Sequence, residues 1–108
     1  MKKANERARA LLKQMTLREK AGQLNQRLYG FAVWERQGGD FVFTDAFRQE
    51  VEDCQGLGFL YGLYRADPWS GRTLENGLAC RDMKRVYNLI QRYVLDHSRL
   101  GIPVLMSS

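Results

Sequence analysis

Apolar residues recur along this chain with two different periods, and each period predicts a different kind of element. Ala8, Leu11, Leu12 and Met15 fall at i, i+3, i+4 and i+7, which is one face of a helix. Thr16 then offers a hydroxyl suited to capping a second helix, and Glu19 stands at its N3 position. Together they form a capping-box pattern, in which each side chain satisfies the other residue's backbone amide. Leu17, Ala21 and Leu24 continue at helical spacing. Residues 6–24 therefore predict two short helices meeting at Met15 and Thr16, not one rod.

Residues 31–36 (FAVWER) and 40–43 (DFVF) are rich in aromatic and β-branched side chains, with Gln37, Gly38, Gly39 and Asp40 spanning the junction. Glycines supply the positive φ that tight turns need, so this stretch predicts a β-hairpin. Thr44 or Asp45 caps the next helix, whose apolar face is Phe47, Val51 and Cys54, and Gln55–Gly56 ends it. Residues 58–64 (GFLYGLY) form a short apolar run between glycines. Its length and aromatic content favour a buried strand over a helix. The loop that follows, RADPWSGRTLENG, is punctuated by Pro68, Gly71 and Asn76–Gly77.

The most regular pattern lies in residues 80–97. Met83, Val86, Tyr87, Ile90, Tyr93, Val94 and His97 share one helical face, opposite Arg81, Lys84, Arg85, Asn88, Gln91, Arg92 and Asp96. Gly101 breaks the period, and residues 102–106 predict a strand with Pro103 near its start, where no ladder donor is needed. From residue 58 the order is thus strand, loop, helix, strand. A βαβ unit requires a parallel sheet, and parallel strands are covered on both faces. Two strands cannot supply that cover, so the sheet is expected to be incomplete within this chain.

Charge changes the picture little. The 108 residues carry 17 Lys and Arg against 12 Asp and Glu, a net charge of +5. A nucleic-acid surface would use such an excess, but acids are interleaved with bases almost everywhere, as in Arg18-Glu19-Lys20 and Arg81-Asp82, which is the pattern of a solvated face. The two helices of residues 6–24 do not make a DNA-reading pair either, because the second is short and lacks a polar recognition face. No nucleic-acid or membrane partner is expected. No segment approaches the ~20 apolar residues of a bilayer span, and the basic N-terminus has no apolar signal core, so a cytoplasmic location is expected. Cys54 and Cys80 have no second Cys or His at metal-ligand spacing and are read as free thiols. No metal or cofactor is expected.

Three stretches carry a family resemblance. RARALLKQMTLREKAGQLNQ (residues 7–26) resembles the opening of the family 3 glycoside hydrolases, of the bacterial β-glucosidase and β-xylosidase type. NLIQRYVLDHSRLGIPVLMSS (residues 88–108) resembles that family's helix and second barrel strand, and GFLYGLYRADPWSGRTLENGL (residues 58–78) its first strand and loop. The resemblance is weak over residues 31–53. MTLREK and SRLGIP, in this order and separation, are its specific signature. It implies α/β architecture, the N-terminal part of a (β/α)8 TIM-type barrel left incomplete here, with residues 1–57 as N-terminal helices and hairpin and residues 58–108 as the first βαβ unit.

The resemblance also implies a retaining, exo-acting mechanism on terminal β-glucosides or β-xylosides: a carboxylate attacks the anomeric carbon, an acid protonates the leaving oxygen, and water resolves the glycosyl-enzyme. The family's nucleophile and acid/base lie beyond residue 108, so no catalytic residue is assigned in this chain, and the chain alone is expected to be inactive. Glu35 and Asp40 have no reason to pair across a sugar, and His97 reads as a packed or C-capping residue. Barrel ligands gather at the C-terminal ends of strands, which makes Arg65, Asp67 and Trp69 the substrate-binding candidates. Trp69 either stacks on a sugar ring, with Arg65 and Asp67 bonding its hydroxyls, or plugs the loop onto the core. The open edge at residues 102–106 further implies marginal stability and self-association. The alternative is a self-contained, non-catalytic α/β binding module, which must cover its strands within 108 residues or by oligomerising.

Overall fold

The capping box forms as the sequence spells it. In the computed structural model, which describes residues 1–107, the Glu19 amide donates to Thr16 Oγ1 at 3.2 Å and the Thr16 amide donates to Glu19 Oε1 at 2.9 Å. It separates helix α1 (Lys2–Gln14) from helix α2 (Leu17–Gln23). The faces they present differ from the expectation, however. No residue of α1 is buried, and in α2 the buried residues are Glu19 and Gly22, while Leu17 and Leu24 are more than 80% exposed. A seven-residue helix has room for one close contact, and α2 makes it through its smallest residue. A Cβ on Gly22 would lie 2.7 Å from both Cβ and the carbonyl oxygen of Cys54.

Strands β1 (Trp34–Gln37) and β2 (Asp40–Phe43) pair antiparallel, Trp34 opposite Phe43 and Gln37 opposite Asp40. Gly38 has φ +61° and Gly39 does not have a positive φ, a pattern suited to a two-residue turn with glycine first. Thr44 caps helix α3 (Asp45–Cys54) by accepting from the Phe47 amide, and the helix ends with Gln55 left-handed at φ 54°.

Strand β3 (Phe59–Tyr61) and strand β4 (Leu105–Ser107) are parallel, Phe59 opposite Leu105, with helix α4 (Cys80–Asp96) between them in sequence. Val86, Ile90 and Val94 form the buried stripe of α4, four residues apart. Both strands are shorter than expected. Gly62 turns the chain out of β3 at φ +78°. β4 begins at Leu105 and not at residue 102, because Pro103 has no amide and both polar backbone groups of Val104 are held by the Gln91 side chain at 3.0 and 2.6 Å. Tyr29 bridges Tyr61 in parallel, so β3 has a neighbour on each side, whereas β4 pairs on one side only among the described residues.

Among those residues, four α-helices and two two-stranded sheets make a small mixed α/β domain with one core. Leu60 from β3, Phe47 and Val51 from α3, Ile90 from α4 and Trp34 from the hairpin all reach it, at 0–1% exposure. Each such side chain contributes about 1.5–3 kcal/mol by leaving water. Phe43, Phe47 and Tyr93 close one side, with ring centroids 4.9–5.1 Å apart. No helix of the described residues is long and apolar enough to cross a membrane.

Candidate functional site

The loop after β3 starts where both parallel strands end. Gly62 and Leu63 amides donate to the Ser107 carbonyl at 2.9 and 3.2 Å, which anchors the outgoing loop to the C-terminal end of β4. Asp67 and Ser70 then build a compact turn. The Ser70 amide donates to Asp67 Oδ1 at 2.8 Å, and Ser70 Oγ donates to the Asp67 carbonyl at 3.1 Å. The other Asp67 carboxylate oxygen accepts from Arg65 Nε.

Arg65, Asp67 and Trp69, the three candidates from the sequence, therefore come together. The Arg65 guanidinium carbon stands 4.7 Å from the Trp69 ring centroid, and its Nη1 donates to the Tyr61 hydroxyl at 3.1 Å. The Arg65 bond, followed by the Ser70 amide, holds the Asp67 carboxyl below the usual carboxylate range, and the bond to Asp67 raises Arg65 in turn. Both stay charged across the physiological range, so the loop presents a fixed ion pair and not a proton donor.

Trp69 is 58% exposed and lies outside the core. It meets Tyr29 nearly perpendicularly at 4.8 Å and Phe31 at 5.5 Å, while Tyr29 and Phe31 stack on each other at 5.4 Å. Tyr61 stands 6.4 Å from Tyr29. Offset and perpendicular ring pairs of this kind are each worth about 0.5–1.5 kcal/mol. Tyr29, Phe31 and Tyr61 were not identified from the sequence. For Tyr61 the available signal was alternation, since it follows core Leu60 on a strand and so faces outward; Tyr29 and Phe31 sit at a short 3-10 turn over Gly30–Ala32, where no strand period applies.

Arg72, in the same loop, has a different task. Its Nη2 donates to the carbonyls of Phe31 and Trp34 at 2.8 and 2.7 Å, and the guanidinium lies 4.0 Å over the Trp34 ring. Burial pushes its pKa down. Arg72 thus fastens the loop to the segment that carries the aromatic cluster.

The remaining chemistry-bearing residues lie elsewhere. His97 ends α4, its amide and Nδ1 both directed at the Tyr93 carbonyl and its ring stacked 3.9 Å over Tyr93, which is a capping and packing role. Glu35 is exposed on β1, and Asp40 pairs with Arg85 at 2.8 Å. Cys54 and Cys80 are free, and burial, foremost, raises the Cys54 thiol. Cys54 closes one wall of a surface cleft of about 280 Å³ shared with Arg18, Arg27 and Asn25, and Asn25 and Arg27 both donate to Glu50 beside it. No group of three or more His, Cys, Asp or Glu that could hold a metal ion occurs among the described residues.

The two halves of the family-like signature also meet. Arg99, from SRLGIP, donates to Glu19, from MTLREK, through Nη2 at 2.6 Å and Nε at 3.2 Å, and Nη2 also reaches the Gln14 carbonyl at 2.6 Å. Arg99, foremost, and then the Thr16 amide lower the Glu19 pKa from 4.5 to about 2. The chain matches no protein family model, and no curated protein or solved structure is significantly similar to it.

Proposed function

We propose that this chain forms the opening of a (β/α)8 barrel of the family 3 glycosidase type and binds a saccharide at the loop after β3. One observation carries the reading: the Arg65–Asp67 pair, the exposed Trp69 side chain and the Tyr61 hydroxyl converge at the C-terminal end of a parallel βαβ unit. Ligands of parallel α/β folds collect at that end of the strands. A planar ring beside a fixed donor–acceptor pair suits a pyranoside, whose C–H face is apolar and whose rim is hydroxylated. The Arg99–Glu19 clamp adds support, since it gives the two signature phrases a physical reason to occur together.

In this reading the parent enzyme hydrolyses terminal β-glucosides or β-xylosides with retention, and residues 1–108 bind but do not cleave, because the nucleophile and the acid/base belong to later parts of the barrel. Assay of the purified chain with nitrophenyl β-glucoside and β-xyloside is expected to give no turnover; release above a boiled control overturns the claim of inactivity. The transcript beyond codon 108 tests the family. An open frame encoding a carboxylate followed within a few residues by His-Gly supports it, and any other continuation overturns it.

A non-catalytic α/β binding module is the second reading, and Gln91 favours it. Its amide occupies the Val104 backbone groups as a neighbouring strand would, which partly finishes the β4 edge. A sharp, cooperative melt of a monomeric chain favours this module over the barrel opening.

A further inference from the structure

The Arg65 guanidinium is held on several sides by groups that belong to no single loop. Nε is committed to Asp67, Nη1 to the Tyr61 hydroxyl, and the guanidinium carbon stands 4.7 Å from the Trp69 ring centroid and 5.8 Å from that of Tyr61. A guanidinium has five N–H donors. Two are used by these bonds, which leaves the Nη2 pair and one Nη1 proton for a ligand. The side chain as a whole is 31% exposed.

Tyr61 is the last residue of β3, fixed by pairing with Ser107 on one side and by the Tyr29 bridge on the other. Its backbone is therefore among the best-placed in the site, whereas Arg65 follows the turn at Gly62 and carries a long, flexible side chain. Left to itself, such a side chain samples many rotamers, and ordering it on binding costs free energy. A bond from a strand-borne hydroxyl removes part of that cost before the ligand arrives. The Tyr29–Phe31 stack does the same for the Trp69 ring.

We propose that Tyr61 is a positioning residue: its hydroxyl and ring aim the Arg65 fork so that the uncommitted N–H groups take adjacent hydroxyls of a pyranoside lying against Trp69. This rests on the saccharide reading given above. The fork geometry fits two neighbouring equatorial hydroxyls, a feature shared by gluco- and xylo-configured sugars.

The test is a ¹H–¹⁵N titration of the 108-residue chain with methyl β-D-glucopyranoside and, separately, methyl β-D-xylopyranoside. The Arg65 Nε–H and Trp69 indole resonances are followed, with the buried Trp34 indole as the reference for an intact fold. Both glycosides are expected to shift Arg65 and Trp69 but not Trp34. Tyr61→Phe keeps the ring and removes the hydroxyl. It is expected to move the Arg65 resonance in the free protein and to weaken binding about 5-fold, the order of the cost of immobilising one long side chain on binding. The Trp69 shift at saturation is retained. In an Arg65→Lys background, Tyr61→Phe is expected to have no further effect, because the group it positions is gone. Equal affinities of the wild-type chain and Tyr61→Phe overturn the proposal, as does a full effect of Tyr61→Phe in the Arg65→Lys background. Absence of any shift in the wild-type chain with either glycoside overturns the saccharide reading instead.

Discussion

Gly58 is the position where one added methyl group has the most to disturb. A Cβ there would sit 1.9 Å from the Gln23 carbonyl oxygen, 2.4 Å from its carbon and 2.6 Å from Gln23 Cα. Relief to even a tight 3.0 Å contact needs a displacement of about 1 Å. The obstructing atoms are backbone, at the end of a helix clamped by the Arg99–Glu19 pair, so no rotamer change supplies that displacement. The Gly58 carbonyl also accepts from the Leu105 amide at 3.0 Å, so a shift of that carbonyl pulls on β4, the strand paired with β3. Overpacking of this kind costs about 3 kcal/mol or more, a large share of the ~5–15 kcal/mol of a whole domain. Gly58→Ala is therefore expected to lower Tm by roughly 12 °C or more, followed by far-UV circular dichroism and by Trp34 fluorescence. Gly39→Ala is the control: nothing lies within 4 Å of its Cβ and its φ is not positive, so a change within about 0.5 kcal/mol is expected. A Gly58→Ala chain with native spectra and stability within about 0.5 kcal/mol of wild type refutes the close approach of β3 to α2.

Thr16→Ala removes one arm of the capping box and is expected to cost about 1 kcal/mol in urea denaturation; an unchanged midpoint contradicts the cap. Glu19 titrates near 2 when folded and near its ordinary 4.5 when unfolded, so the unfolded chain binds the extra proton between those values. The Arg99–Glu19 contribution is therefore present above pH 4.5 and lost as pH falls towards 2. Glu19→Gln should be less stable than wild type at neutral pH, and the gap should close over that window; a gap independent of pH excludes the charged pair as its source. Gln91→Ala strands the amide and carbonyl of the buried Val104, which is expected to cost about 1–3 kcal/mol and to promote association along β4, read by urea melts and light scattering. A variant as stable and as monomeric as wild type would show that Gln91 does not finish the edge.

Much of the local structure was legible in residue order. Thr16 with Glu19, Thr44 ahead of Phe47, and Gly38–Gly39 between two apolar stretches act on neighbours within a few positions, so spacing alone determined the starts of α2 and α3 and the hairpin turn, whereas residues 30–32 form a 3-10 helix and β1 begins only at Trp34. The α4 stripe was readable for the same reason, because a period of 3.6 residues is a local property. Arg65, Asp67 and Trp69 also stood out, as polar and ring-stacking side chains following directly on a strand and separated from one another by single residues. Which face of a short helix turns inward is another matter. Leu17 and the C-capping Leu24 are the apolar choices around α2, yet Gly22 and Glu19 are buried, because Cys54 and Arg99 approach from two distant segments and leave room only for a hydrogen atom and a carboxylate. The shortened β4 and the joining of Tyr29, Phe31 and Tyr61 to the loop after β3 were settled in the same way. Gln91 reaches Val104 across the turn of the crossover, and Tyr29 reaches Tyr61 across a strand pairing. Such contacts depend on where whole elements come to rest, and that is decided by the packing of Leu60, Phe47 and Ile90 in a shared core, which no local period records.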